Sequence, residues 1–365
     1  MKHTYTKLVR QHILIVILLL YSSIVECTRS PHRPEQASLP YIVTYYNNTP
    51  QDRHILRDSH LQEYTFFRVY NHEYLKEHCL PENFIEAINV TQSVDCQQLR
   101  SDIDELVKEV MACRKEYTHF TILQNRDFNR KKKWGLLVVK SKKYPIVVKL
   151  FIEDPIGLVN PYRKGAVPTF FFFMGGGINR HLAGFTRIRN RDIVQEKINS
   201  NPRWQSKIKL PRKWFLTPSQ SRWITIEGGN MNKDEILKTQ IPSIYCIIAD
   251  AIEPERMFSL SNPYDREIAM DICNDLGHII DGNISNFMIE KKTGITYIID
   301  TEHFPSNVGF KTAPIFSNYV EWYLQMINNA ASSMFFRTKD ERLNPSVTSD
   351  EISLNYNDFN QFFEQ

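Results

Sequence analysis

The stretch 278–304 constrains the fold of this chain more than any other part of the sequence. It consists of a polar loop ending at Asn286, a short apolar run, a turn at 290–294, a second apolar run, and Asp300 at that run's end. Two short β-prone runs joined by a tight turn predict an antiparallel hairpin. Such a hairpin brings Asp281, Asn286 and Asp300 into one neighbourhood.

These side chains suit a hard metal cation. Mg²⁺ prefers oxygen ligands and keeps open positions for phosphate. Two carboxylates and one amide oxygen in this neighbourhood therefore suit the coordination of a hard cation with a general base beside it.

Length and composition describe an ordinary globular protein. The 365 residues exceed one average domain and predict either one large domain or a core with an appended module. With 42% hydrophobic and 24% charged residues and no repeat, the collagen-like, solenoid and wholly disordered classes are excluded. The 45 basic and 41 acidic residues are too evenly balanced to indicate a partner among nucleic acids.

An export signal is predicted at residues 1–27. Three basic residues precede a mostly apolar run at 13–25, and Cys27 fits the position before a cleavage site. The apolar run is shorter than the ~20 residues that a membrane span needs, so no stable span is expected after cleavage, with an uncleaved anchor as the alternative. The mature chain is expected in a periplasm, a secretory lumen or the medium.

Residues 28–117 are predicted to be an accessory segment, partly helical. Its start, 28–40, is polar and has the character of a flexible leader. At 101–117 apolar residues recur at three-and-four spacing, which predicts a packing helix. Three cysteines of this segment can supply one disulfide in an oxidising compartment: Cys79, Cys96 and Cys113.

Three short β-prone runs follow and predict an antiparallel meander. They are 120–123, 134–139 and 146–151, and Lys149 lies in the third. The pattern predicts these later elements: a helix at 191–199, strands at 223–227 and 244–249, a linker at 250–254, and helices at 265–276 and 315–336. The basic set Arg180, Arg187, Arg189 and Arg191 is expected on a solvated face, with binding of an acidic ligand as the alternative.

Taken together, these motifs resemble the protein-kinase-like superfamily. Asp281 and Asn286 keep the D-x-x-x-x-N spacing of the kinase catalytic loop, and Asp300 stands about where the aspartate of D-F-G follows it. Lys149, in Ile-Val-Val-Lys, matches the third-strand lysine of V-A-I-K. The resemblance extends over about residues 120–336.

This resemblance implies a two-lobed α+β fold of the protein-kinase type. A small antiparallel-sheet lobe would occupy 118–252 and a short helical lobe 253–345, followed by an acidic tail at 346–365.

The resemblance also implies roles for individual residues. Asp281 would be the base or the substrate-orienting group, and Lys149 would grip the α- and β-phosphates of ATP. Asn286, Asp300 and Glu302 would hold Mg²⁺ or Mn²⁺. Glu196 would orient Lys149, with Glu227 or Glu235 as alternatives.

The chain departs from the kinase pattern at three places. No G-x-G-x-x-G lies between the first two β-prone runs, where 125–133 is basic instead. Ile279 and Ile280 replace the His-Arg of the catalytic loop, and Thr301-Glu302 replaces Phe-Gly. The basic residues of 125–133 are candidate phosphate ligands: Arg126, Arg130 and Lys131 to Lys133.

The expected function is an exported ATP- and Mg²⁺-dependent phosphotransferase whose acceptor is an unidentified protein or small molecule. The alternative is a catalytically inactive pseudokinase that binds a nucleotide or a partner, which the missing glycine loop favours. An exported binding protein of unrelated α+β fold is the third interpretation, and a large separation between Lys149 and Asp300 would favour it.

Overall fold

The computed structural model describes residues 40–46, 53–57, 72–88, 92–153, 181, 184–221, 223–229, 236–302 and 318–324. The predicted export signal at 1–27 and the acidic tail at 346–365 lie outside the described residues.

The described residues form a mixed α+β fold with antiparallel sheets and few helices, which confirms the prediction at that level. The helices are α1 (His72–Glu77), α2 (Cys96–Met111), α3 (Thr186–Ser200) and α4 (Pro263–Asp275), with a 3₁₀ turn at Ile284–Asn286. The first strands are β1 (Pro40–Tyr46), β2 (Arg53–Arg57), β3 (Phe84–Glu86), β4 (Ser93–Asp95), β5 (Phe120–Gln124), β6 (Phe128–Asn129), β7 (Trp134–Ser141) and β8 (Ile146–Ile152). The others are β9 (Ile208–Lys209), β10 (Lys213–Leu216), β11 (Trp223–Gly229), β12 (Ile236–Pro242), β13 (Ile244–Asp250), β14 (Pro254–Met257), β15 (Phe287–Glu290) and β16 (Thr296–Ile298).

The largest sheet contains the predicted meander. Its strands run in the order β10-β13-β8-β7-β5, and β6 also pairs with β7. All of its pairs are antiparallel. The three β-prone runs at 120–123, 134–139 and 146–151 are β5, β7 and β8, each slightly longer than predicted.

Helix α2 begins five residues before the predicted start at Ser101, at Cys96. The side chain of Asp95 caps it by accepting hydrogen bonds from the backbone N–H groups of Gln97 and Gln98, both at 3.0 Å. Cys96 and Leu99 extend the inward face of the helix by a further turn. Asp102 therefore lies inside the helix and is buried, not at its first turn.

A hydrophobic core joins α2 to the large sheet. It combines Leu99, Ile103 and Val107 of α2 with strand residues such as Leu137 and Val148. The expected boundary at residue 117 therefore does not coincide with a boundary in the packing, because the segment from Leu80 onward contributes to the same core as the sheet.

The hairpin predicted around the turn 290–294 is β15-β16. It lies in a second sheet of order β14-β15-β16-β9, in which only β16 and β9 run parallel. A second hydrophobic core lies here, formed by α4, the C-terminal half of α3, the hairpin and the helical residues 319–324. The remainder of the helix predicted at 315–336 lies outside the described residues.

Two smaller elements complete the described fold. Strands β12-β11-β1-β2 form a third antiparallel sheet, and β3 pairs with β4. Helix α1 leads into a parallel bridge between Cys79 and Phe215 of β10. All five cysteines within the described residues are free thiols, including the three considered for a disulfide.

Among the residues that the structure describes, no helix has both the length and the apolar character needed to cross a membrane.

Candidate functional site

A cavity of about 570 Å³ lies between the large sheet and the β15-β16 hairpin. The segment Asp250–Pro254, between β13 and β14, forms part of its wall. Its apolar lining comes from both sides of the cavity: Leu136, Val138, Val147, Ala249, Met288 and Ile299. Its polar lining includes Lys149, Asp281, Asn286, Asp300 and Glu302. Glu196 and the candidate phosphate ligands Arg130 and Lys131 to Lys133 are not part of this lining.

Lys149 reaches this cavity from the middle of the large sheet. It pairs with Val138 of β7 and with Ile247 of β13, so neighbouring strands hold its backbone on both sides. Its Nζ lies 2.7 Å from Oδ2 of Asp300. Burial lowers the pKa of Lys149, and the carboxylate of Asp300 offsets this only in part.

The hairpin register brings Asn286 beside Asp300. Phe287 pairs with Ile298, and the backbone N–H of Ile299 donates to the carbonyl of Asn286 at 2.9 Å. Asn286 is therefore opposite Ile299, next to Asp300. The hairpin that was predicted from two apolar runs and a turn is therefore formed by the paired strands β15 and β16.

The loop from Asp281 to Asn286 is held by its own side chains. The backbone N–H of Asn283 donates to Oδ1 of Asp281 at 3.0 Å, and Asn283 in turn accepts a bond from the N–H of Ser285 at 3.1 Å. Nδ2 of Asn286 donates to the backbone carbonyl of Asp281 at 3.1 Å. The amide nitrogen is used for this bond, and Oδ1 is the atom of the Asn286 side chain that has the chemistry of a metal ligand.

Arg187, at the start of α3, is a site residue that the sequence analysis missed. Its Nε lies 2.9 Å from Oδ1 of Asp300, and its Nη2 lies 2.8 Å from Oε2 of Glu302. Its side chain is fully buried and its guanidinium lies 5.1 Å from the ring of Phe151. The expectation that Arg187 and Arg189 lie on a solvated face is wrong, because both are buried. A signal was present in the sequence, since Arg187, Asn190 and Val194 share one helix face at three-and-four spacing.

The pKa of Asp300 reflects the crowding of cations around it. Burial alone would raise this pKa, but the charges of Arg187, Lys149 and Lys213 outweigh burial and hold it well below its ordinary value. The Asp300 carboxyl is therefore ionised, as a metal ligand must be.

Lys213 of β10 is a second buried lysine at the site that the sequence analysis missed. Its Nζ donates to Oγ1 of Thr301 at 2.6 Å, and that hydroxyl donates to the backbone carbonyl of Arg187 at 2.5 Å. Burial lowers the pKa of Lys213 strongly, and the positive charges of Lys149 and Arg187 lower it further. The negative charge of Asp300 raises this pKa but does not outweigh the other effects.

Glu196 does not occupy the position expected for the partner of Lys149. It lies on the exposed face of α3, and the atom next to the Lys149 amine belongs to Asp300 instead. Of the two alternatives, Glu227 lies in β11 and Glu235 lies outside the described residues. The residue of α3 that points inward beside Asp300 is a cation, Arg187.

The loop between β5 and β7 closes one end of the cavity. Arg126 and Gln124 line the cavity, whereas Lys131 to Lys133 are exposed. The loop packs against Gly135, the second residue of β7, which has φ of +111° and whose missing Cβ would lie 2.1 Å from the carbonyl oxygen of Asp127. Only glycine fits this close approach of two backbone segments.

The candidate metal ligands at the site are oxygen atoms of two kinds, carboxylate and amide. Within the described part of the chain, no group of three or more His, Cys, Asp and Glu side chains is arranged to hold a metal ion. The lining of the cavity includes the two carboxylates predicted as metal ligands, Asp300 and Glu302, and the amide oxygen of Asn286. This donor chemistry fits Mg²⁺ or Mn²⁺, which bind few protein ligands and keep the other positions for water or phosphate.

Comparisons with known proteins yielded no relative. The sequence matches no protein-family model and no curated protein, and the structure matches no solved structure.

Proposed function

We propose that this chain is a phosphotransferase of protein-kinase-like fold that transfers the terminal phosphoryl group of ATP with Mg²⁺ or Mn²⁺. In this proposal the two hydrophobic cores correspond to two lobes, and the cavity between the large sheet and the hairpin binds the nucleotide. The predicted export signal would take the protein to an exported compartment. The acceptor is a protein or a small molecule that remains to be identified.

The observation that carries the proposal is the meeting of Lys149 and Asp300, whose charged atoms are 2.7 Å apart in the cavity. Lys149 lies in the large sheet and Asp300 follows the last strand of the hairpin, and both were selected from short motifs alone. Asp281 and Asn286 line the same cavity. The proximity argues against the third interpretation, an unrelated binding protein, which needed these residues to be far apart.

The cavity also has the size and lining that a nucleotide needs. Its volume of about 570 Å³ falls within the ~300–1,000 Å³ typical of small-molecule sites. Val138 and Val147 of the sheet and Met288 of the hairpin supply apolar surface for a base. Lys149 and Arg126 supply positive charge for phosphates.

Each candidate site residue then has a role set by its position. Asp281 accepts the proton of the attacking hydroxyl or orients that hydroxyl, and Lys149 balances the charge of the phosphates. Asn286, Asp300 and Glu302 would hold the divalent cation, which when bound neutralises charge on the phosphates. Catalysis in this scheme comes mainly from positioning and from fixed charges.

The proposal is tested by the release of inorganic phosphate from ATP in the presence of Mg²⁺ or Mn²⁺, and by mass spectrometry for phosphate transferred to the chain itself. We expect metal-dependent turnover in the wild type and its loss in Asp281→Asn. Absence of turnover in a wild-type protein that binds ATP would reject the phosphotransferase.

That last outcome corresponds to the second candidate function, a pseudokinase that binds nucleotide without turnover. One observation favours it: Lys149 and Arg187 both contact Asp300, so the carboxylate is already neutralised by the chain itself. The basic loop in place of a glycine loop points the same way. Nucleotide affinity and turnover, measured on one preparation, separate the two functions.

A further inference from the structure

One helix holds three consecutive residues of the candidate site. Asp300 accepts from Nε and Nη2 of Arg187, and Glu302 accepts from Nη2 of the same side chain. Between them, the Oγ1 of Thr301 donates to the backbone carbonyl of Arg187. Nδ2 of Asn190 donates to the carbonyl of Thr301 at 3.0 Å. The segment 300–302 is therefore attached to α3 at every residue.

The planar guanidinium of Arg187 is the element that brings the two carboxylates together. It is fully buried, and its other amino group, Nη1, is buried and has no hydrogen-bond partner among the residues that the structure describes. Arginine can contact two carboxylates at once because its donors form a rigid fork, which the ammonium of lysine does not provide. Arg187 does not line the cavity, whereas Asp300 and Glu302 both do. Arg187 therefore contacts Asp300 and Glu302 from outside the cavity lining.

We propose that Arg187 is a positioning residue that holds Asp300 and Glu302 side by side for a divalent cation that binds together with the nucleotide. This inference rests on the proposed function. Asp300 and Glu302 already face Arg187 and Lys149, so two carboxylates meet two cationic side chains. A divalent cation alone would add uncompensated positive charge to a buried site, and the phosphates of the nucleotide supply the compensating negative charge.

The bonds between Arg187 and Asp300 also have a consequence for Lys149. When the oxygens of Asp300 bind a divalent cation, Lys149 loses its present partner and its ammonium becomes available to the phosphates. Arg187 keeps Asp300 in place during this exchange, because it bonds Asp300 through Oδ1 as well as Oδ2 whereas Lys149 contacts Oδ2.

The test is isothermal titration calorimetry of the full-length chain with three probes: Mn²⁺ alone, ATP alone, and ATP with Mn²⁺. The variants are Arg187→Gln, Arg187→Lys and the matched control Arg191→Gln. Arg191 lies one turn further along α3, where its guanidinium pairs with Asp192 instead of Asp300 or Glu302 and its Nε donates to the carbonyl of Pro211.

For the wild type we expect tighter binding of ATP with Mn²⁺ than of ATP alone, and no binding of Mn²⁺ alone at the same concentrations. Arg187→Gln is expected to reduce the gain in ATP affinity that Mn²⁺ provides by at least tenfold. Its affinity for ATP alone should stay within twofold of the wild type. Arg187→Lys should restore part of the gain, and Arg191→Gln should retain all of it. Retention of the full gain in Arg187→Gln would overturn the inference, as would tight binding of Mn²⁺ alone to the wild type.

Absence of a nucleotide site has a different result, because the wild type would then bind no ATP with or without Mn²⁺, and loss of the phosphotransferase alone would show as ATP binding without turnover. If thermal melts show that Arg187→Gln does not fold, Arg187→Lys and Glu302→Gln take its place. Both variants should lower the gain in ATP affinity that Mn²⁺ provides and leave the affinity for ATP alone unchanged. A gain equal to that of the wild type in both variants would reject the inference.

Discussion

The ammonium of Lys149 and the carboxylate of Asp300 are in direct contact, 2.7 Å apart, although one belongs to the central strand of the large sheet and the other follows the last strand of the hairpin. The contact joins the two sides of the cavity. Lys149 is held within the large sheet, whereas Asp300 is held by Arg187 of α3, so the separation between them depends on how these elements pack. In the proposed function, nucleotide and metal bind at this junction.

Lys149→Met should weaken the binding of ATP with Mn²⁺ at least tenfold, equivalent to ~1.4 kcal/mol. The substitution removes the cation expected to face the phosphates and keeps a side chain of similar length. Arg187 still pairs with Asp300, so we expect the variant to fold. Calorimetry provides the measurement, and Lys209→Met, an exposed strand lysine, serves as the control. Equal affinities for Lys149→Met and the wild type would remove Lys149 from the nucleotide site.

Asp281→Asn should lower turnover by about 10²- to 10⁴-fold, the usual contribution of a general base. Asparagine keeps an oxygen able to accept the bond that the backbone N–H of Asn283 now donates. The affinity for ATP with Mn²⁺ should therefore stay within about threefold of the wild type, since a base acts mainly on the chemical step. Asp271→Asn, which removes an exposed ion pair with Arg203, is the control. A loss of affinity as large as the loss of turnover would make Asp281 a binding residue instead.

Asn190→Ala should lower the free energy of unfolding by about 1–3 kcal/mol, because two backbone carbonyls lose their donor inside the protein. Nδ2 of Asn190 donates to the carbonyl of Ile279 at 2.9 Å and to that of Thr301 at 3.0 Å, and the side chain is fully buried. Urea unfolding of the variant measures this loss. Asn199→Ala, on the exposed part of the same helix, should change stability by less than ~0.5 kcal/mol.

Asp265 should make the free energy of unfolding depend on pH in the acid range. Burial would raise the pKa of this carboxyl, but its bonds to Arg256 and to the backbone N–H of Ser259 outweigh burial and lower the pKa below the ordinary value of 3.8. The unfolded chain therefore takes up a proton at higher pH than the folded one. The stabilisation from Asp265 is present above pH 3.8 and is lost as the pH falls towards the folded-state pKa.

Asp265→Asn should accordingly cost about 1–3 kcal/mol at neutral pH, with a smaller difference from the wild type in acid. Urea unfolding at a series of pH values between neutral and pH 3 gives both quantities. A difference from the wild type that grows in acid would contradict the sign of the pKa shift.

Much of the fold was predictable because the strands carry strong local signals. Strands β7 and β8 are rich in Val, Ile and Leu, and each was predicted to within two residues at its end. The start of α2 was misplaced because the prediction rested on the apolar spacing that begins at Ile103. The actual cap is Asp95, the last residue of the short strand β4.

The candidate site was predictable only where its residues lie in short motifs. Lys149, Asp281, Asn286 and Asp300 line one cavity, as their motifs predicted. Arg187 was not found because its partners are 113 and 115 residues away in sequence, and a basic residue in a polar helix normally faces solvent. The spacing of Arg187, Asn190 and Val194 marked one helix face, but the two carboxylate partners of Arg187 follow only from the tertiary fold.

The most direct test of the account is the thermal stability of the chain with ATP, with and without Mn²⁺, repeated for Asp300→Ala. We predict a rise in Tm that needs both ATP and Mn²⁺, since a ligand at 100 times its Kd stabilises by ~2.7 kcal/mol, and its disappearance in Asp300→Ala. A wild-type Tm that does not respond to ATP with either Mg²⁺ or Mn²⁺, or an equal rise in Asp300→Ala, would contradict a nucleotide–metal site at this cavity.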